Sequence, residues 1–298
     1  MIETLLGPFF LALFVSLIAT PPVVFLARKI KLVDDPKTHK HPAIIHKKPL
    51  PRAGGLPIYL AIISAILFFL PLDKSFIAII YAGLLVIIIG LLDDKYDLSP
   101  YVRFLGNILA ASMVVFSGVD LPFITNPLGG IVEFAIFSFN INGLVITPAT
   151  IFAIIWIVWV MNMLNWSKGV DGQMPGIAAI SAIIIGIASL RFPVLTSDNI
   201  HVSQLSFAVA GASVGFLFYN FYPAKIFPGY SATILGFMIG VLSIMSSAKL
   251  ATAVLVMGVP TADALFTIAR RLLSRRSPFR HDKGHLHHLL LNLGLRQR

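Results

Sequence analysis

The sequence predicts an all-α integral membrane protein of about nine transmembrane helices. Three observations predict it. Of the 298 residues, 57% are hydrophobic and 12% are charged, against about 25% charged in a soluble domain. The mean hydropathy is +0.88. Uncharged stretches such as 58–70, 78–92 and 232–245 recur along the chain, and about 20 apolar residues at 1.5 Å each cross the hydrocarbon layer.

Nine spans are placed, at 5–27, 55–71, 75–92, 103–119, 148–163, 174–190, 203–219, 231–247 and 250–267. Each is mostly Leu, Ile, Val, Ala and Phe, and none sustains the period-two alternation of a barrel strand. The first reads as retained, because it lacks the basic start and small-residue cleavage site of a removable leader. No internal repeat or low-complexity linker divides the chain, so 1–298 reads as a single polytopic domain. Cysteine is absent, which excludes disulfides and thiolate metal sites. Segment 120–147 carries Pro122, Pro127, Gly129 and Gly130 ahead of an alternating run from Ile131 to Asn140. It reads as a short β-hairpin on the outer face.

The net charge of +10 is unevenly placed. The connections after odd-numbered spans are 28–54, 92–102, 164–173, 220–230 and 268–298. With Arg103 at the mouth of the fourth span, they hold 20 of the 23 Lys and Arg residues. That asymmetry makes these connections cytoplasmic, with the N-terminus outside. It also accounts for basic charge without nucleic acid. Seven of the eight histidines lie on the same face: His39, His41, His46, His281, His285, His287 and His288. Topology selects Lys and Arg but has no use for histidine, so this face carries chemistry.

Four of these connections hold residues that topology does not demand. The first contains Asp34, Asp35, Pro36, Lys40 and His41, then Pro51, Arg52, Gly54 and Gly55. Glycines there allow close backbone approach or simply punctuate the next helix. Asp93 and Asp94 end the third span. Adjacent carboxylates at a membrane boundary serve a cation, a cationic substrate or a proton relay, or form an ordinary solvated helix end. The third set is Asn162, Asn165, Lys168, Gly169, Asp171 and Gly172, suited to many hydrogen bonds or to helix capping. The fourth is the tail from Arg270 through Arg275, Arg276, Arg280, His281 and Lys283 to His285, His287 and His288. Forked cations with histidines suit phosphate, while topology or anionic lipid also accounts for the arginines. Zinc is the weaker reading, because no carboxylate or thiolate set completes a tetrahedron. These features suit a protein that handles a phosphorylated ligand at the inner face. A transporter needs polar groups at mid-membrane, and Asn107 and Asp263 are the main ones in these spans. An enzyme fits better.

Five motifs occur in order: Asp35-x-Pro with Pro51-Arg52-x-Gly54-Gly55-Leu56; Gly90-Leu-Leu-Asp93-Asp94; Asn162-x-x-Asn165-x-x-x-Gly169-x-Asp171-Gly172; Gly215-Phe-Leu-Phe-Tyr-Asn220 with Pro223-Ala224-Lys225-Ile226-Phe227 and Gly229; and His285-x-His287-His288. Over nearly its whole length the chain resembles the polyprenyl-phosphate N-acetylhexosamine-1-phosphate transferases of MraY/WecA type (glycosyltransferase family 4). The resemblance implies a cytoplasmic active-site cleft. There an undecaprenyl-type lipid phosphate attacks the β-phosphate of a UDP-linked, GlcNAc-like amino sugar, releasing UMP for cell-envelope polysaccharide synthesis. It implies magnesium as cofactor, held by Asp93, Asp94 and Asn165. It implies Asp93, Asp94, His285, His287 and His288 as catalytic residues, and Lys168 joins this catalytic set through a charge swap against the family pattern. It further implies that Lys40, Arg52, Asn165, Asp171, Asn220 and Phe227 bind substrate, with Phe227 stacking on uridine. The membrane implied is the bacterial inner membrane, and a homodimer is left open. The alternatives are a silent homologue that binds nucleotide or lipid phosphate, and a polyprenyl-lipid transporter.

The chain departs from the family pattern at four places. Tyr230 stands where the family carries an aspartate that binds magnesium, and Lys168 stands where bacterial members usually carry another. This swap leads to the expectation that the Lys168 ammonium supplies charge that the metal otherwise provides. The usual Arg-Lys pair of the first loop reads His39-Lys40. The family continues with at least one more span beyond the histidine motif, so an end at Arg298 implies that a C-terminal span is missing.

Overall fold

The computed structural model describes residues 2–35, 49–121, 123–125, 131–133, 137–141, 144–191, 195–246, 250–275, 286, 289–290 and 293–294. Ten helices occur among them: α1 (Ile2–Lys29), α2 (Gly55–Phe69), α3 (Lys74–Tyr96), α4 (Pro100–Val115), α5 (Pro148–Trp166), α6 (Gln173–Ser189), α7 (Ser197–Asn220), α8 (Thr233–Met245), α9 (Leu250–Val256) and α10 (Gly258–Leu273). Four helical segments are long and apolar enough to cross a membrane: Thr4–Lys29, Lys74–Tyr96, Pro148–Trp166 and Ser197–Asn220. Shorter apolar helices are Gly55–Phe69, Pro100–Val115, Gln173–Ser189 and Thr233–Met245.

Local signals set the helix ends. The Asp73 carboxylate accepts the Ser75 and Phe76 N–H groups, each at 2.9 Å, and starts α3. Asp97, in the left-handed region with φ 50°, stops it. As a result α3 carries Asp93 and Asp94 inside its last turn rather than beyond its end. Ser99 caps α4 with Pro100 in the first turn, where a missing N–H costs nothing. Arg103 therefore lies within the helix, not at its mouth. Thr147 and Thr150 form a reciprocal capping box at the start of α5.

The ninth expected span, 250–267, is divided into α9 and α10 around Met257. Pro260 in the first turn of α10 has no N–H to offer the Val256 carbonyl, so one continuous hydrogen-bond ladder cannot form. The segment expected to form one hairpin contains two short antiparallel pairs. β3 (Phe123–Thr125) pairs with β4 (Ile131–Glu133), and β5 (Phe139–Ile141) pairs with β6 (Leu144–Ile146).

The helices pack as a bundle in which α7 touches α1, α2, α6 and α8, while α5 lies along α8 and α3 along α4. Polar ties fix α1 to α7: Ser16 Oγ donates to the Ala212 carbonyl at 2.9 Å and the Tyr219 hydroxyl to the Leu17 carbonyl at 3.2 Å. Ser213 satisfies its hydroxyl on the Val209 carbonyl of its own helix. The most enclosed helix is α8, whose residues from Thr233 to Ile244 are all buried. Large apolar side chains such as Phe14, Ile18, Phe25 and Phe68 face outward instead, as they do in lipid.

The turn before α8 is where three elements meet. Gly55 N–H at the start of α2 donates to Ser231 Oγ at 3.2 Å. Gly90 of α3 lies so close to Ser231 that a Cβ there would overlap the Ser231 Cα. A methyl group at this point must push backbone aside, which costs roughly 1–3 kcal/mol. Gly90→Ala is therefore expected to lower the thermal unfolding midpoint of the detergent-purified protein. An unchanged midpoint would contradict the packing described.

Candidate active site

The loop from Phe227 to Ala232 collects the site. Its N-terminal side is held by α7 and the turn after α5. Asn220, the last residue of α7, accepts the Gly172 N–H through Oδ1 at 3.0 Å and donates through Nδ2 to the Ile226 carbonyl at 2.9 Å. Asp171 accepts the Ala224 N–H at 3.0 Å. Both side chains were expected to bind substrate. In the structure both also fasten the α5–α6 turn to the α7–α8 loop, and both polar ends of Asn220 are engaged.

The first connection meets the same loop. β1 (Val33–Asp34) pairs with β2 (Leu50–Pro51), which brings the two ends of that connection together. The Phe227 N–H donates to the Pro51 carbonyl at 2.8 Å. Arg52 Nη2 lies 3.2 Å from Oδ2 of the buried Asp34, while Arg52 Nε is buried without a hydrogen-bond partner. Phe227 is half-buried here.

The two aspartates at the end of α3 are adjacent in sequence but face different partners. Asp94 accepts the Tyr230 N–H at 2.7 Å and the Ser231 N–H at 3.2 Å, one on each oxygen. Gly229, with φ +68°, leaves no room for a side chain against that carboxylate. Asp93 faces α4, where Arg103 Nη1 lies 3.3 Å from its Oδ1 and 3.4 Å from its Oδ2. Only the Oδ2 contact has hydrogen-bond geometry, and Oδ1 is buried without a hydrogen bond.

Tyr230 sits between these groups and is 4% exposed. Its hydroxyl accepts from Asn107 Nδ2 at 3.1 Å. The Arg103 guanidinium carbon is 5.2 Å and the Lys168 ammonium 5.6 Å from the ring centroid. Both distances are within the range in which a ring quadrupole attracts a cation. Burial is the largest influence on this phenol and pushes its pKa up to about 12, so it is neutral at physiological pH. Lys168 donates to the Gly229 carbonyl at 3.4 Å. Burial is also the largest influence on Lys168 and lowers its pKa to about 8. Asp94 and Asp93 oppose that shift, and Arg52 and Arg103 add to it.

One end of the bundle thus gathers Asp93, Asp94, Arg52, Lys168, Asp171, Asn220 and Phe227. Asn165, one helical turn before Lys168, has a buried Oδ1 without a hydrogen-bond partner. Lys40, His285, His287 and His288 lie outside the described residues. Between the last of these, the Leu286 N–H donates to the Asp263 carboxylate of α10 at 2.7 Å. Sequence reasoning did not assign Arg103 or Asn107 to the site, and it marked Tyr230 only as standing in place of a metal-binding aspartate. The signal for Arg103 was the Ser99-Pro100 helix start, which puts residue 103 in the first turn beside the end of α3. A separate cavity of about 300 Å³, lined by residues including Asp73, Asp120, Asp198 and His201, opens at the other end of α3. The 20 residues from Asp73 to Asp93 put it about 30 Å from the aspartate pair.

The expected magnesium ligands do not assemble into a divalent-cation site. Both oxygens of Asp94 already accept N–H groups, and Asp93 faces Arg103. The two acceptors left without hydrogen bonds, Asp93 Oδ1 and Asn165 Oδ1, bring only one carboxylate between them. No three His, Cys, Asp or Glu side chains among the described residues gather around one point. Magnesium prefers several oxygen ligands including carboxylate, whereas an ion here would also meet Lys168, Arg52 and Arg103.

A model of glycosyl transferase family 4 matches residues 76–247. The chain is 34% identical to the probable undecaprenyl-phosphate N-acetylglucosaminyl 1-phosphate transferase of Bacillus subtilis (strain 168), over 97% of this chain and 78% of that relative. It is 34% identical to the decaprenyl-phosphate N-acetylglucosaminephosphotransferase of Mycolicibacterium smegmatis, over 84% of this chain and 67% of that relative. It is 28% identical to the undecaprenyl-phosphate alpha-N-acetylglucosaminyl 1-phosphate transferase of Thermotoga maritima, over 92% of this chain and 78% of that relative. Apolar helices, a paired set of acids and cations at one bundle end, and these matches together place the chain in glycosyl transferase family 4, among the MraY/WecA-type membrane transferases.

Proposed function

We propose that the protein transfers a GlcNAc-like HexNAc-1-phosphate from a UDP-sugar to an undecaprenyl-type polyprenyl phosphate and releases UMP. The observation that carries this reading is the joining of residues from four of the five motifs, those among the described residues, into one charged cluster at the end of long apolar helices. A lipid carrier delivers its phosphate at that depth, and a nucleotide reaches it from water. In the reaction a lipid-phosphate oxygen forms a bond to the β-phosphorus of the UDP-sugar. The bond from that phosphorus to the bridging oxygen breaks, and its electron pair leaves with UMP. A phosphate monoester is mostly dianionic at neutral pH, its second pKa being about 6, so no side chain has to remove a proton. The side chains position the reactants and neutralise charge. Lys168, Arg52 and Arg103 are the cations with donors left for a diphosphate. Asp93 orients Arg103, and Asp94 shapes the loop. Asp171, Asn220 and Phe227 form the wall on the uridine side. The terminal histidines and Lys40 complete the phosphate-binding set.

The same reading extends to topology. The basic connections face the cytoplasm of a bacterial inner membrane, the N-terminus is outside, and β3 to β6 lie on the outer surface. Nine crossings follow if the shorter apolar helices and the broken α9–α10 segment each span. The asymmetry of Lys and Arg along the chain supports this arrangement.

The experiment is to incubate purified protein and undecaprenyl phosphate with a panel of UDP-sugars and measure UMP. Release with UDP-GlcNAc or a close analogue is expected. Nucleotide binding without UMP release from any of the sugars would favour the silent homologue.

Turnover should also depend on pH through Lys168. The folded-state pKa of about 8 lies below the ordinary 10.5, so the ammonium is charged at neutral pH and discharges as pH rises through 8. Turnover that uses the cation falls across that point. Stability moves the other way and rises between 8 and 10.5, because the unfolded chain still binds the proton there. A pH profile of UMP release with a descending limb near 8, absent in Lys168→Met, is expected. A profile flat to pH 10 would contradict the role given to Lys168.

A further inference from the structure

We propose that this protein neutralises the nucleotide diphosphate with its own fixed cations, Lys168, Arg103 and Arg52 around the neutral ring of Tyr230, and binds it without a divalent metal. The inference rests on the transferase reading for the identity of the ligand, but its support is independent. The expected ion would be held by acids, and each acid at the site already faces a cation or backbone N–H groups. Of the oxygens so paired, Asp93 Oδ1 alone is left without a hydrogen bond. Asp34 pairs with Arg52, Asp93 faces Arg103, and Asp94 accepts two backbone N–H groups. The residue at the centre is a phenol tied to Asn107 at 3.1 Å. It offers a ring to two cations rather than an oxygen to a metal.

The cations are positioned in advance. Asp93 holds Arg103 from α4, Asp34 holds Arg52 at the base of the first connection, and the Gly229 carbonyl holds Lys168. Lys168 makes one 3.4 Å bond through an ammonium that carries three N–H groups, and Arg52 Nε is buried with no acceptor. Donors without acceptors, in a half-enclosed cluster, suit an incoming polyanion. Cationic side chains aimed at a transferring phosphoryl group perform the charge stabilisation that a metal performs elsewhere. A divalent ion would meet three carboxylates already matched by three cations, so no net negative charge draws it in.

The test uses the full chain in detergent with two separate readouts, UDP binding by calorimetry and UMP release from a UDP-sugar. UDP is expected to bind with the same affinity, within about twofold, in excess EDTA and in magnesium. Lys168→Met should weaken binding about tenfold in both, as expected for loss of one charged hydrogen bond. Thermal unfolding of the variant confirms that the chain still folds, and Arg52→Met supplies a second substitution if it does not. UDP binding that disappears in EDTA and returns with magnesium would overturn the inference. If UDP binds without metal but no UMP is released, the inference stands and the transferase reading fails. Metal-dependent binding together with UMP release has the opposite meaning.

Discussion

Both oxygens of the Asp94 carboxylate accept backbone N–H groups, from Tyr230 at 2.7 Å and from Ser231 at 3.2 Å, and the rest of the site depends on this contact. It fixes the loop ahead of α8 against the end of α3. Gly229 and Gly90 permit the approach, and Gly55 closes it from α2 through Ser231 Oγ. Once the loop is held there, Tyr230 is directed between α4 and the α5–α6 turn, and Arg103 and Lys168 meet its ring. A buried carboxylate is unfavourable unless it is hydrogen-bonded, and here the hydrogen bonds are the means by which two distant segments join.

The same contact explains why two adjacent aspartates do different work. On a helix, consecutive residues point about 100° apart. Asp94 therefore faces α8 and Asp93 faces α4. One becomes an anchor for backbone, and the other sets the position of a guanidinium. The three carboxylates Asp34, Asp93 and Asp94 are matched by Arg52, Arg103 and Lys168, so the cluster is balanced before any ligand arrives. A diphosphate then brings negative charge to cations already held in place, which limits the reorganisation needed on binding.

Much of this architecture was legible in the sequence because lipid imposes a simple code. Apolar length located α2, α5, α6 and α8 to within a few residues, and basic asymmetry grouped the functional connections together. What was not legible depended on local geometry. By charge alone Arg103 reads as a loop residue, yet Ser99 and Pro100 start the helix before it. The break at Met257 was hidden by continuous hydrophobicity, although Pro260 was its signal. Asn220 and Asp171 were read as ligand groups from their motif, and their second task of joining two loops needs tertiary contacts to be seen. Tyr230 was marked by the motif as standing in the place of an aspartate, but its contact with two cations needs tertiary structure to be seen.

The account requires that the ends of α3, α7 and α10 share one side of the bilayer, opposite the cavity near Asp120 and Asp198. The chain has no cysteine, so single cysteines can report sidedness directly with a thiol reagent that does not cross membranes. The exposed positions Lys95→Cys, Tyr222→Cys and Ser274→Cys should label only from the cytoplasmic side of oriented vesicles, and Asp120→Cys and Asp198→Cys only from the other. Labelling of Lys95→Cys and Tyr222→Cys from opposite sides would separate Asp94 from the loop it holds and would contradict the structure of the site.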